Sequence, residues 1–62
     1  MNKYEVYMRK MYSNEPFSYI RTVEGIKNLR EQYNDIYYSK TIGRWWKLDY
    51  DKKIEYMFLK TT

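Results

Sequence analysis

The chain has no cysteine and no histidine, a single proline and only two glycines. Without cysteine there is no disulfide framework, and without thiolate or imidazole an ordinary zinc site is excluded. The same gaps remove nucleophilic triads and the usual proton-transfer base near neutral pH. Ser13, Ser18 and Ser39 stand in no activating context. Gly25 and Gly43 do not make a phosphate-cradling loop. Asp49 and Asp51 are a carboxylate pair of a kind that can hold Mg²⁺, but they lack the further ligands and the glycine of a calcium loop, and a hairpin turn is their simpler role. No apolar run approaches the ~20 residues needed to span a bilayer. Met1-Asn2-Lys3-Tyr4 leads straight into an alternating pattern, with no signal peptide in view. The expectation is a non-enzymatic protein that uses no cofactor or metal and no membrane, complete as given, soluble and cytoplasmic.

What is present is aromatic and charged. The chain has 62 residues, 21% of them aromatic, and a net charge of +4 from twelve Lys and Arg against eight Asp and Glu. That length makes one domain, residues 1–62, and a chain so short buries only about 60% of its unfolded surface. Small folds add a disulfide, a metal or a second subunit. With the first two excluded, a homodimer is expected, and the aromatic content favours one because large rings bury much area at interfaces. The positive balance assists encounter with polyanions or an acidic protein surface, although the charges alternate in sign along most of the chain.

Residues 3–12 alternate as a strand, with Tyr4, Val6 and Met8 on one face and Lys3, Glu5, Tyr7 and Arg9 on the other. Ser13-Asn14-Glu15-Pro16 is turn chemistry, and residues 17–21 read as the return strand of a first hairpin. Thr22 suits a helix N-cap with Glu24 in the first turn. Val23, Ile26, Leu29 and Tyr33 then form one helical stripe, and Asn34 suits the C-terminal cap of a helix of about three turns. For residues 35–42, Ile36, Tyr38 and Ile42 share strand parity; a continued helix is the alternative. Residues 44–60 form two strands around a Tyr50-Asp51-Lys52-Lys53 turn. The predicted architecture is α+β: a small antiparallel sheet of about five strands in the order β-β-α-β-β-β, with one helix across one face.

The segment 44–60 holds both tryptophans. Adjacent strand residues face opposite ways, so Trp45 and Trp46 cannot both lie under one helix. Hydrophobic parity assigns Trp46, Leu48, Tyr50, Ile54, Tyr56 and Phe58 to the core. It leaves Trp45, Tyr7, Tyr37, Met57 and Leu59 for the other face, as scattered surface aromatics or as a contiguous apolar patch that marks a partner or dimer surface. Two kinds of partner suit such a patch. A protein partner would bury Trp45 and its tyrosine neighbours as anchors, because Trp, Tyr and Arg dominate binding hot spots. A single nucleic-acid strand would instead stack bases on the rings while Lys40, Arg44, Lys47, Lys52 and Lys60 meet phosphates. Glu5, Asp49 and Glu55 lie among those cations and repel a phosphate backbone, which favours the protein partner.

Rich in Lys, Asn, Tyr and Ile and without alanine, the chain looks like a small accessory protein of a phage or mobile element from AT-rich bacteria. Tyr4-Glu5-Val6-Tyr7-Met8, the hairpin after it and the helix ending in Tyr33-Asn34 resemble, in order and spacing, the small uracil-DNA glycosylase inhibitors of some Bacillus phages. The resemblance covers about half the chain. It implies a strand-strand-helix-strand dimer that inhibits a host DNA-processing enzyme by occupying its DNA-binding surface and capturing a protruding side chain in an apolar pocket. On that basis Leu29, Arg30 and Tyr33 border the pocket, with Glu24, Glu31 and Asp35 as a local acidic cluster. The net basic charge, Arg30 on the helix and the extra second hairpin depart from that family. The residues expected to contact a partner are Leu29, Arg30, Tyr33, Tyr37, Arg44 and Trp45, and the expected site is the cytoplasm of the phage's host.

Overall fold

The computed structural model describes residues 2–61. Among them, β1 (Lys3–Lys10), β2 (Ser18–Glu24), α1 (Ile26–Gln32), β3 (Tyr37–Ser39), β4 (Arg44–Asp49) and β5 (Ile54–Lys60) follow one another in the order β-β-α-β-β-β. The strands form one five-stranded sheet ordered β2-β1-β5-β4-β3, with antiparallel neighbours throughout. This is the α+β architecture expected from the sequence. The central strand is the last, β5, and it pairs with the first, β1, so the middle of the sheet joins elements from the two ends of the chain.

The core lies between α1 and one face of the sheet. Val6, Leu29 and Phe58 have no exposed surface, and Tyr4, Val23 and Tyr33 close the cluster around them. Tyr33 meets Phe58 and Tyr56 with ring centroids 5.2 Å away in each case. Such tilted and edge-on pairs suit the ring quadrupole better than a face-to-face stack.

The helix is shorter than its apolar stripe predicts. Thr22, Val23 and Glu24 belong to β2, where Tyr4 faces Val23 and Lys3 faces Glu24. The cause is Gly25, at φ 83° and ψ 140°, a backbone conformation that residues with a Cβ avoid. Gly25 ends the strand with a hydrogen bond from its N–H to the Asn2 carbonyl (2.7 Å), and its own carbonyl accepts the first helical bond from Leu29 N–H (3.1 Å). All four stripe residues still pack in or against the core, but Val23 does so from a strand. At the other end Tyr33 is already extended, and the left-handed residue is Asp35 (φ 60°), not Asn34. The segment 35–42 contains strand, but only Tyr37–Ser39.

The assignment of faces in β4 is corrected. Trp45 pairs with Phe58, Lys47 with Tyr56 and Asp49 with Ile54, so Trp45 lies on the helix side and packs against the core. Trp46 and Leu48 lie on the opposite face. Tyr50 is outside the strand and 68% exposed. Ile54, Tyr56 and Phe58 are on the helix side as expected. The register is locked by the turn at 50–53, where Asp49 Oδ1 accepts a hydrogen bond from Lys52 N–H (3.1 Å). Once Phe58 faces the helix, that register turns Trp45 inward. Polar Lys47 and Asp49 are tolerated on the same side because α1 has seven residues, about 10 Å of helix, and stops short of them.

Candidate functional site

The sheet therefore has one face partly covered by α1 and one that no helix covers. On the uncovered face, register aligns Tyr7 of β1, Met57 of β5, Trp46 of β4 and Tyr37 of β3 in one row across the strands. Tyr19 on the β2 edge meets Tyr7 edge-on at 5.8 Å. The loop before β2 folds back to lay Phe17 edge-on to Trp46 at 5.5 Å. Arg9 stacks over Phe17 at 4.3 Å and pairs through Nε with Glu55 Oε1 at 2.8 Å. Arg44 Nη1 donates to Met57 Sδ (3.1 Å). Tyr7 donates its phenolic proton to Glu5 Oε1 (2.7 Å), and this bond, with some desolvation, raises its pKa above the ordinary tyrosine value.

Charge on this face is balanced. Lys3, Arg9 and Arg44 lie with Glu5, Glu24 and Glu55, and two of the cations form ion pairs, Arg9 with Glu55 and Lys3 with Glu24 (3.7 Å). The chain's +4 excess consequently lies elsewhere, on the helix side, the turns and the edges. Arg44 is the one cation of this face without a carboxylate oxygen within 4 Å among the described residues, and it lies against Met57.

The helix side is open beyond the end of α1. There a cleft of about 280 Å³ has Tyr33, Tyr56, Met8 and Ile20 among its walls, together with Arg21, Lys47, Lys52 and Asp49. Burial raises the Tyr33 pKa, against the lowering effect of nearby Arg21, and keeps the phenol neutral over the ordinary pH range. Lys47 Nζ donates to the Asn34 carbonyl.

The six residues expected to bind a partner do not form one surface. Leu29 is fully buried and offers nothing to a partner, and Tyr33, 8% exposed, shows only an edge to the cleft. Trp45 is half-buried beside the core, with Arg30 over its ring at 5.6 Å and Tyr38 edge-on at 5.6 Å. Tyr37, 48% exposed, and Arg44 lie on the uncovered face. The pocket bordered by Tyr33 is rimmed by cations, unlike the apolar one that the resemblance implies. Glu24 lies in β2 beside Lys3, so it does not join Glu31 and Asp35 in an acidic cluster on the helix. Trp46, Phe17 and Arg9, all half-buried on the uncovered face, are not among the six expected contacts. Strand parity anchored on Phe58 and carried through the four-residue turn at 50–53 places Trp46 there.

No protein-family model, no curated protein and no solved structure matches this chain.

Proposed function

We propose that this is a non-enzymatic binding protein that docks onto another protein through the uncovered sheet face and inhibits or modulates it. The observation that carries this reading is the row of Tyr7, Trp46 and Tyr37 around the buried Met57, flanked by Tyr19 and Phe17, on a face whose charges cancel. An aromatic, charge-balanced patch suits the desolvated centre of a protein interface, where Trp, Tyr and Arg supply most of the binding energy. A nucleic-acid strand needs several cations beside its stacking rings; here Arg44 is on the aromatic face, but Lys47, Lys52 and Lys60 are not, and Glu5, Glu24 and Glu55 are, so the nucleic-acid reading is the weaker one.

The most specific form of the proposal follows the resemblance: the partner is a host DNA-processing enzyme such as uracil-DNA glycosylase, bound in the host cytoplasm by a homodimer of this chain. Titrating a purified bacterial uracil-DNA glycosylase with the protein tests this form. Activity is expected to fall to zero at a fixed molar ratio. Full activity at a large excess removes glycosylase as the target and leaves the broader proposal of a different protein partner.

A further inference from the structure

We infer that the cleft beyond the end of α1 is a binding site for a small phosphate monoester that carries a flat ring, of about mononucleotide size. The cleft is distinct from the aromatic face and independent of it. Its cations come from three places: Arg21 from β2, Lys47 from β4 and Lys52 from the turn at 50–53. Among the described residues, none of the three has a carboxylate oxygen within 4 Å, whereas Lys3 and Arg9 do. The one carboxylate lining the cleft, Asp49, already accepts the Lys52 backbone N–H. Asp35 and Asp51 line an adjoining hollow that shares Lys47 and Asp49 with the cleft.

Charge and size select the ligand class. Three cations against Asp49 leave the cleft's own lining with two net positive charges. A phosphate monoester brings about −1.5 to −2 at pH 7 and three acceptor oxygens, which neutralises them, whereas a lone carboxylate leaves one. Arg21 presents a planar fork suited to phosphate oxygens, and the two lysines supply mobile point charges. Lys47 spends one of its donors on the Asn34 carbonyl and keeps the others. The remaining wall is Gln32, Met8, Ile20, Tyr56 and the edge of Tyr33, whose ring lies under the Arg21 guanidinium at 5.9 Å. That wall suits a flat ring set against Tyr56, because stacking on an aromatic side chain is open to any base. A cleft of about 280 Å³ lies just below the range for small-molecule sites, roughly 300–1,000 Å³. It admits one such molecule and no folded segment.

The test is a set of NMR titrations of the whole protein with adenosine 5′-monophosphate, adenosine and inorganic phosphate at low salt. The expected result is saturable binding of the monophosphate, with shifts at Tyr33, Tyr56 and Lys47, and an affinity about tenfold or more above those of adenosine and of phosphate alone. Lys47→Gln and Lys52→Gln are each expected to weaken binding about tenfold, as the loss of a charge-assisted contact, while Tyr37→Ala on the other face has no effect. Lys52 is exposed in a turn, so its variant keeps the fold and reads charge alone. Any of three results overturns the proposal: no saturable shift up to about 10 mM monophosphate, adenosine binding as well as the monophosphate, or both lysine variants binding as the parent does. Inorganic phosphate binding as tightly as the monophosphate overturns the assignment of the ring wall.

Discussion

Phe58 and Tyr37 have the same chemical character and opposite consequences. Phe58 has no exposed surface and touches the rings of Tyr33 and Tyr56. Phe58→Ala is expected to cost about 3–5 kcal/mol, close to the whole stability of a small domain, so the variant should show no cooperative thermal transition at 37 °C or above. Tyr37 stands 48% exposed on the uncovered face. Tyr37→Ala should leave stability within about 0.5 kcal/mol in urea unfolding, while weakening partner binding. Tyr33 adds a pH dependence. Its pKa is raised in the folded state by burial, so above the unfolded value of about 10 the unfolded chain ionises first and binds fewer protons than the native one. Stability is then complete below that pH and falls as pH rises toward the folded pKa. Urea melts between neutral and strongly alkaline pH should show this decline, and Tyr33→Phe should reduce its slope; an equal slope in the variant would contradict the assignment.

At the level of elements, the sequence carried most of the fold and inverted the two faces of one strand, β4. Alternation in β1, the helical stripe and the second hairpin were legible because each reports burial through period alone. Two features were not. Gly25 falls inside the helical stripe that follows Thr22, yet at φ 83° it is the point that separates β2 from α1. Gly25→Ala is expected to destabilise the protein by about 1–3 kcal/mol, measurable as a lower urea midpoint with unchanged slope. An unchanged midpoint would mean that the helix starts elsewhere. In β4 the apolar residues Trp46 and Leu48 are on the face without the helix, while Lys47 and Asp49 share a side with the core. Hydrophobic parity fails there because a seven-residue helix covers only part of its face, and because the opposite face makes its own aromatic cover from Phe17. The candidate site was correspondingly half legible. Tyr37 and Arg44 fall on the uncovered face; Trp45 does not, and its neighbour Trp46 takes that place.

For the whole molecule, the consequence is a division of labour between faces: a charge-balanced aromatic side, and a helix side with the turns and edges that carry the positive excess. A homodimer fits this division if it forms along β2 (Ser18–Glu24), the longer of the two edge strands of the sheet, because edge pairing continues the ladder and leaves the aromatic face free. Sedimentation at micromolar concentration should show the dimer, and monomer alone would rule it out. The central claim, that the uncovered face binds a protein, is tested most directly by capture from nuclease-treated bacterial lysate with the parent protein and its Tyr37→Ala, Trp46→Ala and Lys47→Gln variants, each first checked for a cooperative melt. The expected result is a single protein retained in stoichiometric amount by the parent and by Lys47→Gln, and lost with Trp46→Ala and Tyr37→Ala. Equal retention by all four proteins, or capture that nuclease treatment abolishes, would contradict it.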